Sequence, residues 1–287
     1  MFHNTLTLAN GVEIPQLALG TWLIDDAPAA EAVRAALQMG YRHIDTAQAY
    51  GNEHGVGEGV RSSGIARGEI FVTSKVAAEH KDYKSAAAGI DETLLKTGLD
   101  YLDLMIIHSP QPWKFVNQSD DRFIEGNREA WRALENAYQA GKLRAIGVSN
   151  FLEGDIDSLW ETASVKPMVN QVLCHISNSP LALIDFCKEK GIIMEAYSPV
   201  AHGEAMKNPE IAAMAQKYGV SVPQLCIRYD IQLGMIVLPK TANPAHMKTN
   251  AEVDFVIAEE DMQTLKHIRH IENYGEHSFF PVFGGKF

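Results

Sequence analysis

The chain predicts an α/β fold, a (β/α)8 TIM barrel preceded by an N-terminal β-hairpin. Three observations lead there. Short apolar runs alternate with amphipathic, helix-like stretches about eight times along the 287 residues. No low-complexity linker or change in composition interrupts the alternation, so residues 1–287 read as a single domain. Several of the apolar runs also end in a polar residue. Alternation of this kind calls for a parallel sheet with helices packed on it, and eight units are what a closed barrel needs. A doubly wound open sheet is the competing architecture.

The hairpin comes first. Leu6 to Ile14 alternates around Ala9-Asn10-Gly11, and Asn-Gly between apolar stretches is a strong turn signal. The strand-like runs follow at Gln16–Trp22, His43–Ala47, Ile70–Val76, Leu102–His108, Ala145–Asn150, Met168–Cys174, Ile192–Pro199 and Met235–Lys240. Helix-like stretches fall near Pro28–Met39, Glu53–Ser62, Tyr83–Thr97, Glu125–Ala140, Glu153–Thr162, Pro180–Lys190, Pro209–Tyr218 with Val222–Leu233, and Pro244–Ala251. Gly40, Gly98, Gly141 and Gly191 stand where several of these should stop. Gln118–Arg122 and the aromatic Phe279–Phe287 read as a surface loop and a tail.

Bulk properties exclude several classes. A formal net charge of −11 argues against a nucleic-acid binder, which usually presents a basic face. An anionic ligand must therefore be held by local cations or helix N-termini. No apolar run is long enough to span a membrane, and Met1–Pro15 lacks the pattern of a signal peptide. The three cysteines, Cys174, Cys187 and Cys226, are an odd number without a CxxC, which fits free thiols in the cytoplasm.

Chemistry gathers at the ends of the runs. They close on Asp45, Lys75, His108, Ser149-Asn150 and Lys240, while Gln171 lies within the sixth and Tyr197 near the end of the seventh. Barrel strands converge their carboxyl ends on one rim, so these residues are expected to share one mouth. Tyr50 lies in the loop after Asp45. Its free pKa of about 10 is high for proton donation, and a neighbouring Lys75 cation would lower it. Asp45 would hold Lys75, and His108 would bond a carbonyl oxygen. Such a set suits hydride transfer to C=O, with Tyr50 protonating the oxygen. Taken singly, Asp45 reads as a helix cap, Lys75 as a solvated ion pair and His108 as a structural histidine. Their joint placement on successive strands favours the catalytic reading.

Other signals are weaker. Gly55-Val56-Gly57-Glu58-Gly59 has the wrong spacing for a dinucleotide loop and sits inside a helix-like stretch. His267, His270 and His277 read as surface histidines, and no metal is expected. Neither HExxH nor GxSxG occurs. A glycosidase would need two facing carboxylates at the mouth, and only Asp45 is evident.

The motifs are recognisable as a set. Gly40-Tyr41-Arg42-His43-Ile44-Asp45-Thr46-Ala47 with Tyr50-Gly51-Asn52-Glu53, Thr73-Ser74-Lys75, Asp103-Leu104-Met105-Ile106-Ile107-His108 and Ile146-Gly147-Val148-Ser149-Asn150-Phe151 resemble the aldo-keto reductase superfamily. So do Asn170-Gln171, Ala196-Tyr197-Ser198-Pro199 and Pro239-Lys240. The match covers about Leu6 to Ile271, and it looks most like the bacterial branch related to 2,5-diketo-D-gluconate reductases. The resemblance implies NADPH-dependent reduction of aldehydes or ketones on a barrel with a C-terminal substrate loop. It implies Tyr50 as general acid, with Lys75 and Asp45 depressing its pKa and His108 orienting the carbonyl. Ser149, Asn150 and Gln171 would hold the nicotinamide carboxamide near Asp45, Thr21 and Trp22, with Tyr197 stacked on the ring. Ser198 would approach the diphosphate, Lys240 and Thr241 the adenosine phosphate, and His246 and Asn250 the adenine.

Departures from the family pattern carry their own expectations. Relatives usually have Arg where this chain has His246. An imidazole is largely neutral at pH 7 and lacks the guanidinium fork, so NADPH should be favoured less strongly and NADH tolerated. Relatives often have Trp at the positions of Ala77 and Ser109. Losing both should open the substrate pocket of Trp22, Tyr50, Ala77, His108, Ser109 and Trp113 to bulky carbonyls, unless Trp113, Phe115 or the Phe279–Phe283 segment refills it. Leu173 and Ile176 replace the usual Glu and Pro of the sixth run. A small-molecule carbonyl is the expected partner. The alternative is a non-catalytic barrel that senses nicotinamide redox state, against which the intact tetrad argues.

Overall fold

The Asn10-Gly11 turn folds as the hairpin that its alternation predicts. In the computed structural model, which describes residues 1–284, β1 (Thr5–Thr7) and β2 (Glu13–Pro15) pair antiparallel with Leu6 opposite Ile14. Leu8 and Ile14 are buried with Leu104, Ile106, Ala145, Val169 and Ile236. Asn10 Nδ2 donates to the Arg144 carbonyl at 2.9 Å. The hairpin therefore plugs the end of the barrel where the strands begin.

The alternating runs become eight parallel strands: β3 (Leu19–Gly20), β4 (His43–Asp45), β5 (Phe71–Val76), β6 (Leu102–Ile107), β7 (Leu143–Ser149), β8 (Val169–Leu173), β9 (Ile193–Tyr197) and β10 (Ile236–Leu238). They hydrogen-bond in chain order. Bridges Leu17–Val237 and Gly20–Lys240 join the first to the last and close the ring. The open doubly wound alternative is excluded by that closure.

Helices follow every strand of the barrel. They are α1 (Asp26–Met39), α2 (Glu53–Arg61), α3 (Tyr83–Thr97), α4 (Ile124–Gln139), α5 (Glu153–Thr162), α6 (Leu181–Glu189), α7 (Pro209–Tyr218), α8 (Val222–Gln232), α9 (Pro244–Ala251) and α10 (Glu259–Lys266). Their ends are locally encoded. Asp82 caps α3 by accepting from the Ser85 amide at 2.8 Å, and Ser221 with Gln224 forms a capping box on α8. Gly98 stops α3 with φ 62°, a left-handed conformation that residues with a Cβ disfavour. α10 lies outside the helix-like stretches of the sequence. Residues 285–287, the end of the expected tail, lie outside the described residues. Cys174, Cys187 and Cys226 are buried free thiols. No helix among the described residues is long and apolar enough to cross a membrane.

The glycine run set aside as a phosphate loop has a packing role. A Cβ on Gly55 would collide with the Asp26 carbonyl at the start of α1, and one on Gly57 with the Thr97 backbone at the end of α3. The same atom on Gly59 would press on Val33 and Ala30 of α1. Three glycines on α2 thus let its backbone lie against both neighbours.

Gly57→Ala is expected to destabilise the protein by about 3 kcal/mol or more through overpacking. Gly154→Ala in α5, where a Cβ meets nothing within 4 Å, should stay within about 1 kcal/mol of the parent and on the stabilising side. Urea unfolding of both variants measures the contrast.

Candidate active site

Strand order brings Asp45, Tyr50, Lys75 and His108 to one rim. Asp45 ends β4, Lys75 lies near the end of β5, and His108 directly follows β6. Lys75 is wholly buried, and its Nζ donates to Asp45 Oδ1 at 2.7 Å, Asp45 Oδ2 at 2.8 Å and the Thr46 carbonyl at 2.8 Å. It also donates to the Tyr50 hydroxyl at 3.2 Å. With the lysine as donor, the phenolic hydrogen of Tyr50 remains free to point into the cavity. His108 meets Tyr50 edge to face, with ring centroids 5.7 Å apart. Its Nδ1 is buried without a partner.

Burial dominates the titration of this group. It raises Tyr50 above the ordinary phenol range, and the pull of Lys75 offsets only part of that. The expected net depression of the Tyr50 pKa is therefore corrected for the ligand-free site: sequence reasoning weighed the cation but not the desolvation. Tyr50 stays protonated through neutral pH. Burial also works against the Lys75 charge, but Asp45 and Tyr50 outweigh it and hold the ammonium above its usual range. His108 is kept well below the imidazole range by burial and by Lys75 and Lys81, so its ring is neutral.

Above the tetrad opens a cavity of about 760 Å3. Asp45, Tyr50, His108, Ser149, Asn150 and Gln171 line its depth. Tyr197, Ser198, Lys240, Thr241, His246 and Asn250 line its outward run, and Trp22 and Trp113 stand on its wall. The structure thus brings together all but four of the sequence-predicted residues at the cavity surface. Lys75 is one of the four and lies beneath Tyr50. Tyr197 donates to Asn150 Oδ1 at 2.7 Å, which orients its ring. Asn150, Ser198, Ala201 and His202 all have positive φ, between 48° and 61°. Such backbone is sparsely populated for these residues and gathers at functional sites.

The other three expectations need correction. Thr21 does not reach the cavity, because its hydroxyl donates to the Asp45 carbonyl at 2.9 Å and joins the ends of β3 and β4. Ala77 is partly exposed, and its backbone amide donates to Gln48 Oε1 at 2.8 Å. Ser109 is fully buried, and its carbonyl accepts from Lys81 Nζ at 2.7 Å. Neither of these two small residues is among those that line the cavity. Trp113 stands 5.0 Å from His108 and Phe280 lies 4.9 Å from Trp113, so the C-terminal segment does refill the mouth. Phe115 packs on Phe123 instead.

Several residues escaped the sequence reading. Asn52 braces the Tyr50 loop: Nδ2 donates to the Thr21 and Ile24 carbonyls, and Oδ1 accepts from Thr46. His277 was read as a surface residue, yet it lines the cavity and stacks near His202 with centroids 4.4 Å apart. His175 bonds Tyr274 at 2.9 Å and pins that same C-terminal segment. Glu195 sits beneath the cavity, bonded to Gln171. A lone Glu in the apolar run Ile192–Pro199 was its only available signal.

Comparison with known proteins agrees with this geometry. The sequence model of the Aldo/keto reductase family matches residues 16–270. Glyoxal reductase of Bacillus subtilis is 40% identical over 274 residues, covering 95% of each chain. The crystal structure of an aldo/keto reductase from Brucella melitensis superimposes with a TM-score of 0.84 at 38% identity, covering 92% of this chain and 97% of that one. The Bombyx mori aldo-keto reductase in complex with NADP gives a TM-score of 0.84 at 30% identity, covering 96% of each.

Acid should loosen this site. Burial holds His43 and His175 neutral until about pH 4, whereas unfolded imidazoles take up protons near 6.5. The folded state binds fewer protons in that window, so stability falls as the pH drops from about 6.5 to about 4. The expected loss is about 2 to 3 kcal/mol per histidine, measured by urea unfolding at stepwise pH. His175→Gln should flatten part of that slope.

Proposed function

The chain belongs to the aldo/keto reductase family, and from that premise we propose that Tyr50 is the proton donor when an aldehyde or ketone is reduced to its alcohol with NADPH. At the level that the family sets, the protein is an NAD(P)H-dependent carbonyl reductase. The observation that carries the finer reading is the single buried ammonium of Lys75, bonded at once to Asp45 and to the Tyr50 hydroxyl at the floor of the cavity.

The residues present fit a nicotinamide dinucleotide. The cavity runs from Tyr50 and His108 to Lys240, Thr241 and the start of α9, and its 760 Å3 lies in the range of cofactor sites. Lys240 is exposed and makes no ion pair among the described residues, so its charge is available to a phosphate. Gln171, Asn150 and Ser149 would hold the carboxamide, Tyr197 the face of the ring, and Ser198 the diphosphate. His246 and Asn250 would meet the adenine. When bound, a reduced nicotinamide supplies the hydride.

The protein's own part is proton delivery and orientation. His108, being neutral, donates to the carbonyl oxygen without adding charge. As the carbonyl carbon becomes tetrahedral, Tyr50 transfers its phenolic proton to the oxygen, which gains an O–H while the phenol loses one. The phenolate that remains lies against Lys75, whose charge Asp45 maintains. A raised resting pKa is compatible with this role, because the acceptor is a developing alkoxide, a far stronger base than a phenolate. The aromatic wall of Trp22, Trp113 and Phe280 would pack on the face of a planar carbonyl substrate.

Tyr50→Phe should lower kcat by roughly a thousandfold while leaving NADPH binding, followed by tryptophan fluorescence, within about threefold. A wild-type protein that binds NADPH yet turns over no carbonyl of a broad panel would favour the sensor alternative. Cofactor choice is tested separately: His246→Arg should raise the NADPH-to-NADH efficiency ratio by about tenfold. A wild-type ratio above about a hundredfold would remove the case for NADH tolerance.

A further inference from the structure

Glu195 brings a second carboxyl group to the floor of the site. It is fully buried on β9, in register with Gln171 of β8 on one side and Ile236 of β10 on the other. Gln171 Nε2 donates to Glu195 Oε2 at 2.8 Å and to Asp45 Oδ2 at 3.0 Å. One amide nitrogen therefore spans two carboxyl groups, one of which holds the tetrad lysine. The other oxygen of Glu195, Oε1, is buried without a partner. We propose that Glu195 is a positioning residue for carbonyl reduction: as a neutral acid it locks Gln171 against Asp45 and leaves the Lys75 charge undivided for Tyr50. The proposal rests on the assignment of Tyr50 as proton donor.

Two arguments support it. The first is charge. Asp45 from β4 and Lys75 from β5 are the ionisable groups facing Glu195, and Gln171 and Ile236 carry none. Lys75 already bonds both oxygens of Asp45, so a second carboxylate there would compete for one buried cation. Burial first, and then Asp45, push the Glu195 acid up to about 8, against the opposing pull of Gln171 and Lys75. The second is orientation. Both hydrogens of Gln171 Nε2 are engaged at the floor, which turns its Oε1 toward the cavity that Gln171 lines. Ionised, Glu195 would draw on Lys75 and make the Tyr50 phenolate costlier.

Two measurements test this. Carbon-13 NMR of glutamate carboxyls in the cofactor-free protein should show a resonance, absent from Glu195→Gln, that titrates near pH 8. In steady-state kinetics, wild-type kcat should fall roughly tenfold as pH rises through that value, and Glu195→Gln should lack the fall. Glu195→Leu, which cannot accept from Gln171, should be roughly tenfold slower than Glu195→Gln at every pH. A Glu195 carboxyl that titrates in the ordinary carboxylate range overturns the proposal, as does a Glu195→Gln profile that superimposes on the wild type. If Glu195→Gln does not fold, the wild-type titration read against Glu195→Leu decides. Turnover retained by Tyr50→Phe would instead defeat the donor assignment, so the two failures are distinguishable.

Discussion

The ion pair between Lys75 and Asp45 is the constraint around which the site is arranged. Two charges withdrawn from water carry a penalty of several kcal/mol each, and their attraction repays it only with good geometry and further hydrogen bonds. The barrel supplies both. β4 and β5 are neighbours, so the carboxylate and the ammonium meet without strain, and Thr46, Tyr50 and Gln171 take up the remaining valences. Thr21 and Asn52 then tie the adjoining loop to β3. Removing either charge would leave the other buried and alone, which is why polar residues of limited value singly are valuable together.

Much of the fold was legible. Strand and helix order, the hairpin and the rim positions follow from periodicity and from where polar residues interrupt apolar runs. The tetrad was legible for the same reason, since strand ends must converge. What failed was whatever depends on which loop covers which residue. The small size of Ala77 and Ser109 shows in the sequence, but the contacts that Gln48 and Lys81 make with their backbones do not, because these residues are brought together only by the fold. Thr21 was misread because its position near the mouth says nothing about where its hydroxyl points. α10 was missed because its eight residues are mostly charged or polar, with only Met262 and Leu265 as an apolar pair.

Titration was legible in sign only where one effect rules. A lysine beside a tyrosine can be read from spacing. The desolvation that outweighs it depends on the whole barrel closing overhead, and that is a property of the tertiary structure. Glu195 illustrates the same limit from the other side. Its burial among apolar strand residues was visible, but its approach to Asp45 through Gln171 was not, because β4 and β9 lie far apart in the chain.

Closure of the ring between Gly20 and Lys240 has a consequence for how the molecule is made. During synthesis, the edge of β3 emerges early and its final partner, β10, emerges last. Until then the growing sheet carries an unpaired flank, the kind of surface to which other strands add. The hairpin of β1 and β2, present from the start, packs its Leu8 and Ile14 against later strands as they arrive. Until β10 arrives, the nascent chain therefore depends on protection of the unpaired β3 edge.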